Sequence, residues 1–380
     1  MKIMIVVTHL LGTGHLARAL TLARAFQRAN HTATVVSGGM ASPLLDRGDV
    51  PLLQMPPLRS DGVDFTRLLD LNGVPADPAV LEARTAQLIQ HFHDLRPDVL
   101  ITELFPFGRR TLRTEFLALL SEAKARPDPP LICASIRDIL APPSSPQKAE
   151  KTHDILSLYY DAVLVHADPE FTPLNLSWPV TASLQQRLHY TGLIAPPPAA
   201  PHPQKAGADE IIISAGGGDV GSHIFETAMQ AAVGDDRRWR LLLGGSQPAN
   251  RIAALQASAP ANVTVEAARP DFRAMLHHAA ASVSMCGYNT AIDVLQSGCR
   301  AVFIPFDAGS EVEQTIRAQA LASLPQIAVV KNEDLTPDSL RTALSQLAAA
   351  PAGIPARTGF DGADETVRIV RDLRRKQHEN

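Results

Sequence analysis

The feature that most constrains this chain is a unit that occurs twice: an apolar run, a glycine-containing turn, then a helical pattern. In the first half, the apolar run 3–8 leads into Gly12-Thr13-Gly14-His15, after which Leu16, Ala19, Leu20, Ala23 and Phe26 recur on one helical face. In the second half, the run 211–214 leads into Gly216-Gly217-Gly218-Asp219-Val220-Gly221 and a helical pattern over 222–233. Strand-length apolar runs alternate with helical segments, which calls for parallel pairing and right-handed crossovers. Two such openings in 380 residues, a length beyond one ordinary core, predict an α/β chain. Its architecture is expected to be two Rossmann-like, doubly wound domains facing across a cleft.

Further strands are expected at 32–37, 52–55, 98–102, 131–135 and 162–165, and again at 240–243, 263–266, 281–285, 301–304 and 327–330. The stretch 56–75 has no period and reads as a surface excursion. Residues 195–203 read APPPAAPHP, and five prolines in nine residues continue neither a helix nor a central strand. The expected domains are therefore 1–194 and 209–360, joined by a linker at 195–208, with a C-terminal helix in 361–380 that packs back on the first domain.

Hydrophobic residues make up 45% and charged residues 19%, a globular balance. A net charge of -4 argues against a nucleic-acid footprint, which needs a basic domain or stripe. Cys133, Cys286 and Cys299 are three, without CxxC spacing, and suggest neither a disulfide framework nor a zinc site. A reducing, cytoplasmic location is expected. No stretch reaches a membrane span, while peripheral contact with the inner membrane face is compatible with the sequence. His91, His93, His277 and His278 lack partners at ligand spacing, so they read as surface or packing residues and no metal is expected.

Both glycine turns fit a dinucleotide-type loop, yet the acidic residue expected about 20 residues on is missing in each case. What survives is the physics of a helix start: bare backbone, free N–H groups and a positive dipole end suited to an anion. His15 lies in the first helical turn at the C-terminal edge of a strand, where its near-neutral titration suits a base. Glu103 follows directly on another strand and is expected at the same edge, to orient His15 or serve as the base itself. Arg137, in Ser135-Ile136-Arg137-Asp138, is placed alike after its own strand and suits an anionic acceptor. The densest signal is Met285-Cys286-Gly287-Tyr288-Asn289-Thr290-Ala291-Ile292-Asp293. A strand ends at a glycine and a helix begins at once, with Asp293 about one turn on, suited to accept from ribose-type hydroxyls. Glu311, Glu313 and Gln314 then open another helix, with Arg317 following.

This order of motifs resembles the MurG-like branch of the GT-B glycosyltransferases, whose second domain is of the glycosyltransferase family 28 C-terminal kind. The resemblance implies a nucleotide-diphospho-sugar donor held by the second domain and an acceptor held by the first. It implies that Gly216, Gly217 and Gly218 and the turn Gly287, Asn289, Thr290 face the diphosphate. It also implies that Arg269 lies near the base, Asp293 near the ribose, and Glu313 and Gln314 on the sugar. Gly12, Thr13, Gly14 and Arg137 fall on the acceptor side. The family uses no metal. Asp293 stands where the family has a glutamate, and GGGDV replaces its serine- and glutamine-containing loop.

The expected activity is inverting, metal-independent transfer of a sugar from a nucleotide-diphospho-sugar, expected to be a UDP-sugar, to an acceptor. A nucleotide-sugar hydrolase with His15 activating water is the alternative, and a non-catalytic nucleotide-sugar-binding protein is the third reading.

Overall fold

The structure is a computed structural model and describes residues 1–10, 13–42, 45–60, 67–215, 221–245, 248–307, 311–350 and 359–379. The chain divides into two compact units, Met1–Ile194 together with Gly359–Asn380, and Ala195–Thr358.

The first unit contains strands β1 (Lys2–Val7), β2 (Thr32–Gly39), β3 (Leu52–Leu58), β4 (Val99–Glu103), β5 (Leu131–Arg137), β6 (Ala162–His166) and β7 (Leu188–Tyr190). Its helices are α1 (Gly14–Arg28), α2 (Pro78–Leu95), α3 (Arg113–Ala125), α4 (Pro146–Tyr159) and the short α5 (Ala182–Gln185). The strands pair in parallel in the order β3-β2-β1-β4-β5-β6-β7. Both faces are covered, and the two-residue pleat shows why the strands are almost wholly apolar. Ile3, Ile5 and Val7 of β1 enter one core, with Phe26 of α1, while Met4 and Val6 enter the other, with Phe92 and Phe116. Each such side chain taken out of water contributes about 1.5–3 kcal/mol.

Two details depart from the sequence reading. β3 runs on through Pro56 and Pro57 to Leu58 and does not stop at 55. It lies at the sheet edge, where a missing N–H leaves no ladder bond unmade. The three half-buried residues of β7 extend the sheet by a strand that their polar, short sequence did not announce.

The second unit repeats the plan. Its strands are β8 (Glu210–Ser214), β9 (Arg238–Leu243), β10 (Val263–Ala267), β11 (Ala281–Ser284), β12 (Ala301–Phe303) and β13 (Ile327–Val329). Its helices are α6 (Ser222–Ala232), α7 (Pro248–Gln256), α8 (Phe272–Met275), α9 (Tyr288–Ser297), α10 (Glu313–Leu321) and α11 (Pro337–Ala348). The parallel order β10-β9-β8-β11-β12-β13 matches the first six strands of the other sheet. In each unit the order reverses direction beside the first strand, between β1 and β4 and between β8 and β11. Open α/β sheets bind ligands outside the strand C-termini at such a switch point.

The last helix, α12 (Gly362–Glu379), belongs to the first unit. Val367 and Val370 join the α1-side core, and Arg374 Nη1 donates to Pro129 O at 3.0 Å. The proline-rich stretch is fastened along its length to the second unit. Arg273 Nη2 donates to Pro197 O at 2.7 Å, Gln296 Nε2 to Pro196 O at 3.0 Å, His277 Nε2 to Ala199 O at 2.8 Å and His278 Nε2 to His202 O at 3.1 Å. A run of prolines offers few N–H groups to neighbours, so its carbonyls are satisfied by side-chain donors. His277 and His278, read from the sequence as surface or packing residues, therefore have a defined bonding task.

Candidate active site

At the first unit's switch point the residue after β1 that matters is His15, in the first turn of α1, and the residue closing β4 is Glu103. They meet: His15 Nδ1 lies 2.9 Å from Glu103 Oε1. Glu103 is almost fully buried and accepts from several groups. Arg18, one turn beyond His15 on α1, brings Nε to 3.1 Å and Nη2 to 2.5 Å from the same oxygen. Ser135 on β5 donates to Oε2 at 2.6 Å. The row continues across the sheet. Ser135 Oγ is 2.9 Å from His166 Nε2 on β6, and His166 Nδ1 is 2.8 Å from Thr191 Oγ1.

The pattern fixes the protons. Ser135 gives its only proton to Glu103, so it accepts from His166 Nε2–H, and His166 Nδ1 accepts from Thr191. At His15, an unprotonated Nδ1 would set its lone pair against a carboxylate, so Nδ1 carries the proton and donates to Glu103. Arg18 Nη2 also lies 3.0 Å from Nδ1, a meeting of two donors over one shared oxygen. Nε2 of His15 is left unprotonated, with no hydrogen bond among the described residues, on a side chain 14% exposed.

Charge follows burial and partner. Burial alone would raise the Glu103 carboxyl, but the Arg18 charge and the His15 hydrogen bond hold it well below the usual carboxylate range. Burial is the largest influence on His15 and pushes it down to about 4 against the pull of Glu103; the Arg18 charge adds to the drop. Burial likewise lowers His166 to about 3. The folded unit thus holds a neutral His15 directly on an ionised carboxylate that Arg18 neutralises, and a neutral His166 one hydroxyl further along the row.

The loop leaving Glu103 is anchored from behind. Leu104 has φ +71 and donates its N–H to Ser135 O at 2.8 Å. A leucine in that region stores about 1–3 kcal/mol of strain, held by its surroundings. Phe105 stacks on Phe116 at 4.5 Å, and its carbonyl accepts from Thr102 Oγ1 at 3.0 Å. Of the expected acceptor-side residues, Gly12 lies outside the described residues, and Thr13 is the N-cap of α1 without a side-chain cap bond. Gly14 opens α1 with no atom of the described residues within 4 Å of where a Cβ would stand. Arg137 ends β5 in register with His166.

In the second unit Gly216, Gly217 and Gly218 lie outside the described residues. The other helix start is described. Gly287 is the N-cap of α9 without a side-chain cap, and the first-turn amides of Asn289 and Thr290 have no hydrogen bond among the described residues. Arg317 of α10, 2% exposed, organises this turn. Its Nη1 donates to Cys286 O at 2.8 Å, its Nη2 to Glu313 Oε1 at 2.8 Å, and its guanidinium lies 5.7 Å from the Tyr288 ring centre. Gln314 Oε1 accepts from Phe306 N at 3.2 Å, so Glu313 and Gln314 are both oriented by the protein around the loop after β12.

Asp293 is held differently from the sequence expectation of a carboxylate kept for ligand hydroxyls. Its Oδ1 accepts from Arg273 Nε at 2.8 Å, and Arg273 also binds Gln296 and the proline-rich stretch. Burial raises its carboxyl and Arg273 opposes the rise. Only Oδ2 is left without a bond among the described residues. Arg269 pairs with Asp271 through both carboxylate oxygens, Nη2 to Oδ2 at 2.6 Å and Nε to Oδ1 at 2.8 Å; His202 Nε2 lies 3.1 Å from the same Oδ2, and Glu266 lies 3.6 Å from Arg269 Nη1.

Three residues of the first unit's row escaped the sequence reading: Arg18, His166 and Thr191. Arg18 carried one signal, its position one turn after His15. His166 and Thr191 carried none, because only the strand order brings them beside Ser135.

Residues 241–356 match the glycosyltransferase family 28 C-terminal domain. No curated protein matches the chain. Solved structures with the same fold include MurG of Acinetobacter baumannii, at 17% identity and TM-score 0.62, covering 98% of this chain and 100% of that one. They also include the glycosyltransferase VinC in complex with dTDP, at 17% identity and TM-score 0.60, covering 100% and 98%. A third is the glycosyltransferase SnogD of Streptomyces nogalater, at 16% identity and TM-score 0.59, covering 98% and 99%. Residues 241–356 thus match a glycosyltransferase family 28 C-terminal domain, and the chain as a whole shares its fold with these solved proteins.

Proposed function

We propose that this protein is a glycosyltransferase that inverts the anomeric centre of a nucleotide-diphospho-sugar, a UDP-sugar in the first instance, with His15 as the base and without a metal. The observation that carries the reading is the His15–Glu103 hydrogen bond. It leaves Nε2 as the one basic atom of the network with no partner among the described residues. Glu103 is the orienting group and not the base, because both its oxygens already accept bonds and its carboxyl is held ionised far below neutral pH.

In this reading the acceptor hydroxyl gives its proton to His15 Nε2 as its oxygen attacks the anomeric carbon from the face opposite the leaving group. The imidazolium formed is stabilised by Glu103. The departing diphosphate takes hydrogen bonds from the amides of Asn289 and Thr290 at the positive end of α9. Gly216, Gly217 and Gly218 supply the second set of amides. Asp293 Oδ2 accepts from the ribose, Glu313 and Gln314 hold the sugar, and Arg269 lies towards the base. VinC, solved with dTDP, makes thymidine nucleotides the second donor class to try. The hydrolase reading uses the same His15 Nε2 on a water molecule.

The test begins with the melting temperature of the protein in saturating UDP- and dTDP-sugars, where the matching nucleotide raises it. No rise with any of them overturns donor binding. Free sugar released without acceptor, and lost in His15→Ala, moves the assignment to the hydrolase.

A further inference from the structure

We propose that the first unit carries a second binding site, for a phosphate-bearing ligand, in the cavity between the loop after β4 and the first turns of α3 and α4. The cavity has a volume of about 230 Å³ and four cationic side chains in its wall, Arg110, Arg113, Lys148 and Lys151. No carboxylate lines it. Like charges gathered in this way repel one another, and no carboxylate among the described residues pairs with them. Arg113 and Lys151 make no ion pair or hydrogen bond among the described residues. Among the described residues Lys148 Nζ reaches only the Ser144 hydroxyl, at 2.5 Å, and Arg110 Nη2 only the Phe107 carbonyl, at 3.3 Å. The acid nearest on α3, Glu115, is buried and taken by Arg84 at 3.0 Å. Burial lowers Arg110 from its ordinary value, as expected for a guanidinium losing water without gaining an anion.

The cavity is built from fixed pieces. Its apolar floor is Phe105 and Ile155, and Phe105 is stacked on Phe116. The buried Thr152 hydroxyl lies 3.3 Å from Pro106 O and ties the loop to α4. Arg113 is the first residue of α3, and Lys148 and Lys151 fall in the first two turns of α4, so two positive helix ends add to the four side chains. At about 230 Å³ the space is smaller than the roughly 300–1,000 Å³ of a drug-sized pocket and suits a phosphate or diphosphate group, the rest of the ligand lying outside. Guanidinium groups recognise phosphate oxygens in pairs. The site is distinct from the His15 row: Glu103 turns to His15 and Ser135, and the cavity begins two residues later.

The proposal stands apart from the reading of His15. Inorganic pyrophosphate is titrated calorimetrically into the full chain with UDP at saturation, so that any nucleotide site is filled, and into the double variant Arg113→Gln/Lys151→Gln. Both side chains are exposed, so folding is expected to be unchanged and melting temperature checks it. The expected result is salt-sensitive binding that weakens at least tenfold in the variant. Vesicles with and without an anionic phospholipid distinguish the source of the phosphate. Sedimentation with the anionic vesicles alone, lost in the variant, assigns a lipid headgroup. Variant-sensitive pyrophosphate binding without sedimentation assigns a soluble ligand. If neither probe binds, or the variant binds as the wild type does, the site is overturned, whatever the outcome with nucleotide-sugars.

Discussion

Ser135 donates its hydroxyl to Glu103 Oε2 at 2.6 Å from the neighbouring strand, and so occupies the side of the carboxylate that His15 does not use. That bond sets both the rotamer and the charge of Glu103, and Glu103 in turn sets the proton of His15. Ser135→Ala is expected to lower kcat about tenfold with little change in KM, since a hydrogen bond to a buried charge is worth about 1.5–3 kcal/mol. Steady-state kinetics check it. A change confined to KM would mean that Ser135 acts on substrate and not through Glu103.

Arg18 and Glu103 form a buried pair at 2.5 Å. Glu103→Gln alone strands the arginine and is expected to destabilise the first unit by about 3–5 kcal/mol, as is Arg18→Met alone. The double variant Arg18→Met/Glu103→Gln removes both charges. It is expected to regain much of the melting temperature and none of the activity. Recovery of activity along with stability would remove Glu103 from the mechanism.

The two buried histidines give the first unit an acid limit. In the unfolded chain both titrate near 6.5, while the folded state holds His15 at about 4 and His166 at about 3. Below pH 6.5 the unfolded state therefore binds more protons, so stability is complete above that pH and falls as pH drops towards 4 and then 3. The acid limb of kcat/KM is expected near pH 4 and not near 6.5. Melting temperature and rate followed from pH 4 to 8 test both; a rate that halves near pH 6.5 would mean that His15 is not held neutral.

Gly287 has φ −65 and ψ 152, which any residue adopts, and no atom of the described residues lies within 4 Å of an added Cβ. Gly287→Ala should therefore fold with an unchanged melting temperature. If a diphosphate closes on the α9 turn, the same methyl group should cut nucleotide-sugar affinity at least tenfold, by calorimetry. Full affinity in this variant would move the diphosphate elsewhere.

Much of this was legible in the sequence for a simple reason: short apolar runs buried on both faces announce parallel strands, and glycine followed by a helical period announces a helix start. His15, Glu103 and the Gly287 turn could be read because each sits directly at a strand or helix boundary, where position alone predicts the sheet edge. Arg18 looked like one more charged residue on an amphipathic helix, because its burial depends on a carboxylate 85 positions away. His166 became visible only through the β5–β6 register. Asp293 was expected to be reserved for a ligand because Arg273, 20 positions earlier, has no local spacing signal that ties the two.

The central claim is a neutral His15 with its proton on Nδ1, and nitrogen-15 NMR of the histidine side chains reads that state without any substrate. His15→Gln assigns the signal. The account predicts a neutral ring with Nδ1 protonated from pH 8 down to pH 5, and loss of that tautomer preference in Glu103→Gln. A protonated imidazolium at pH 6.5, or a proton on Nε2, would contradict it.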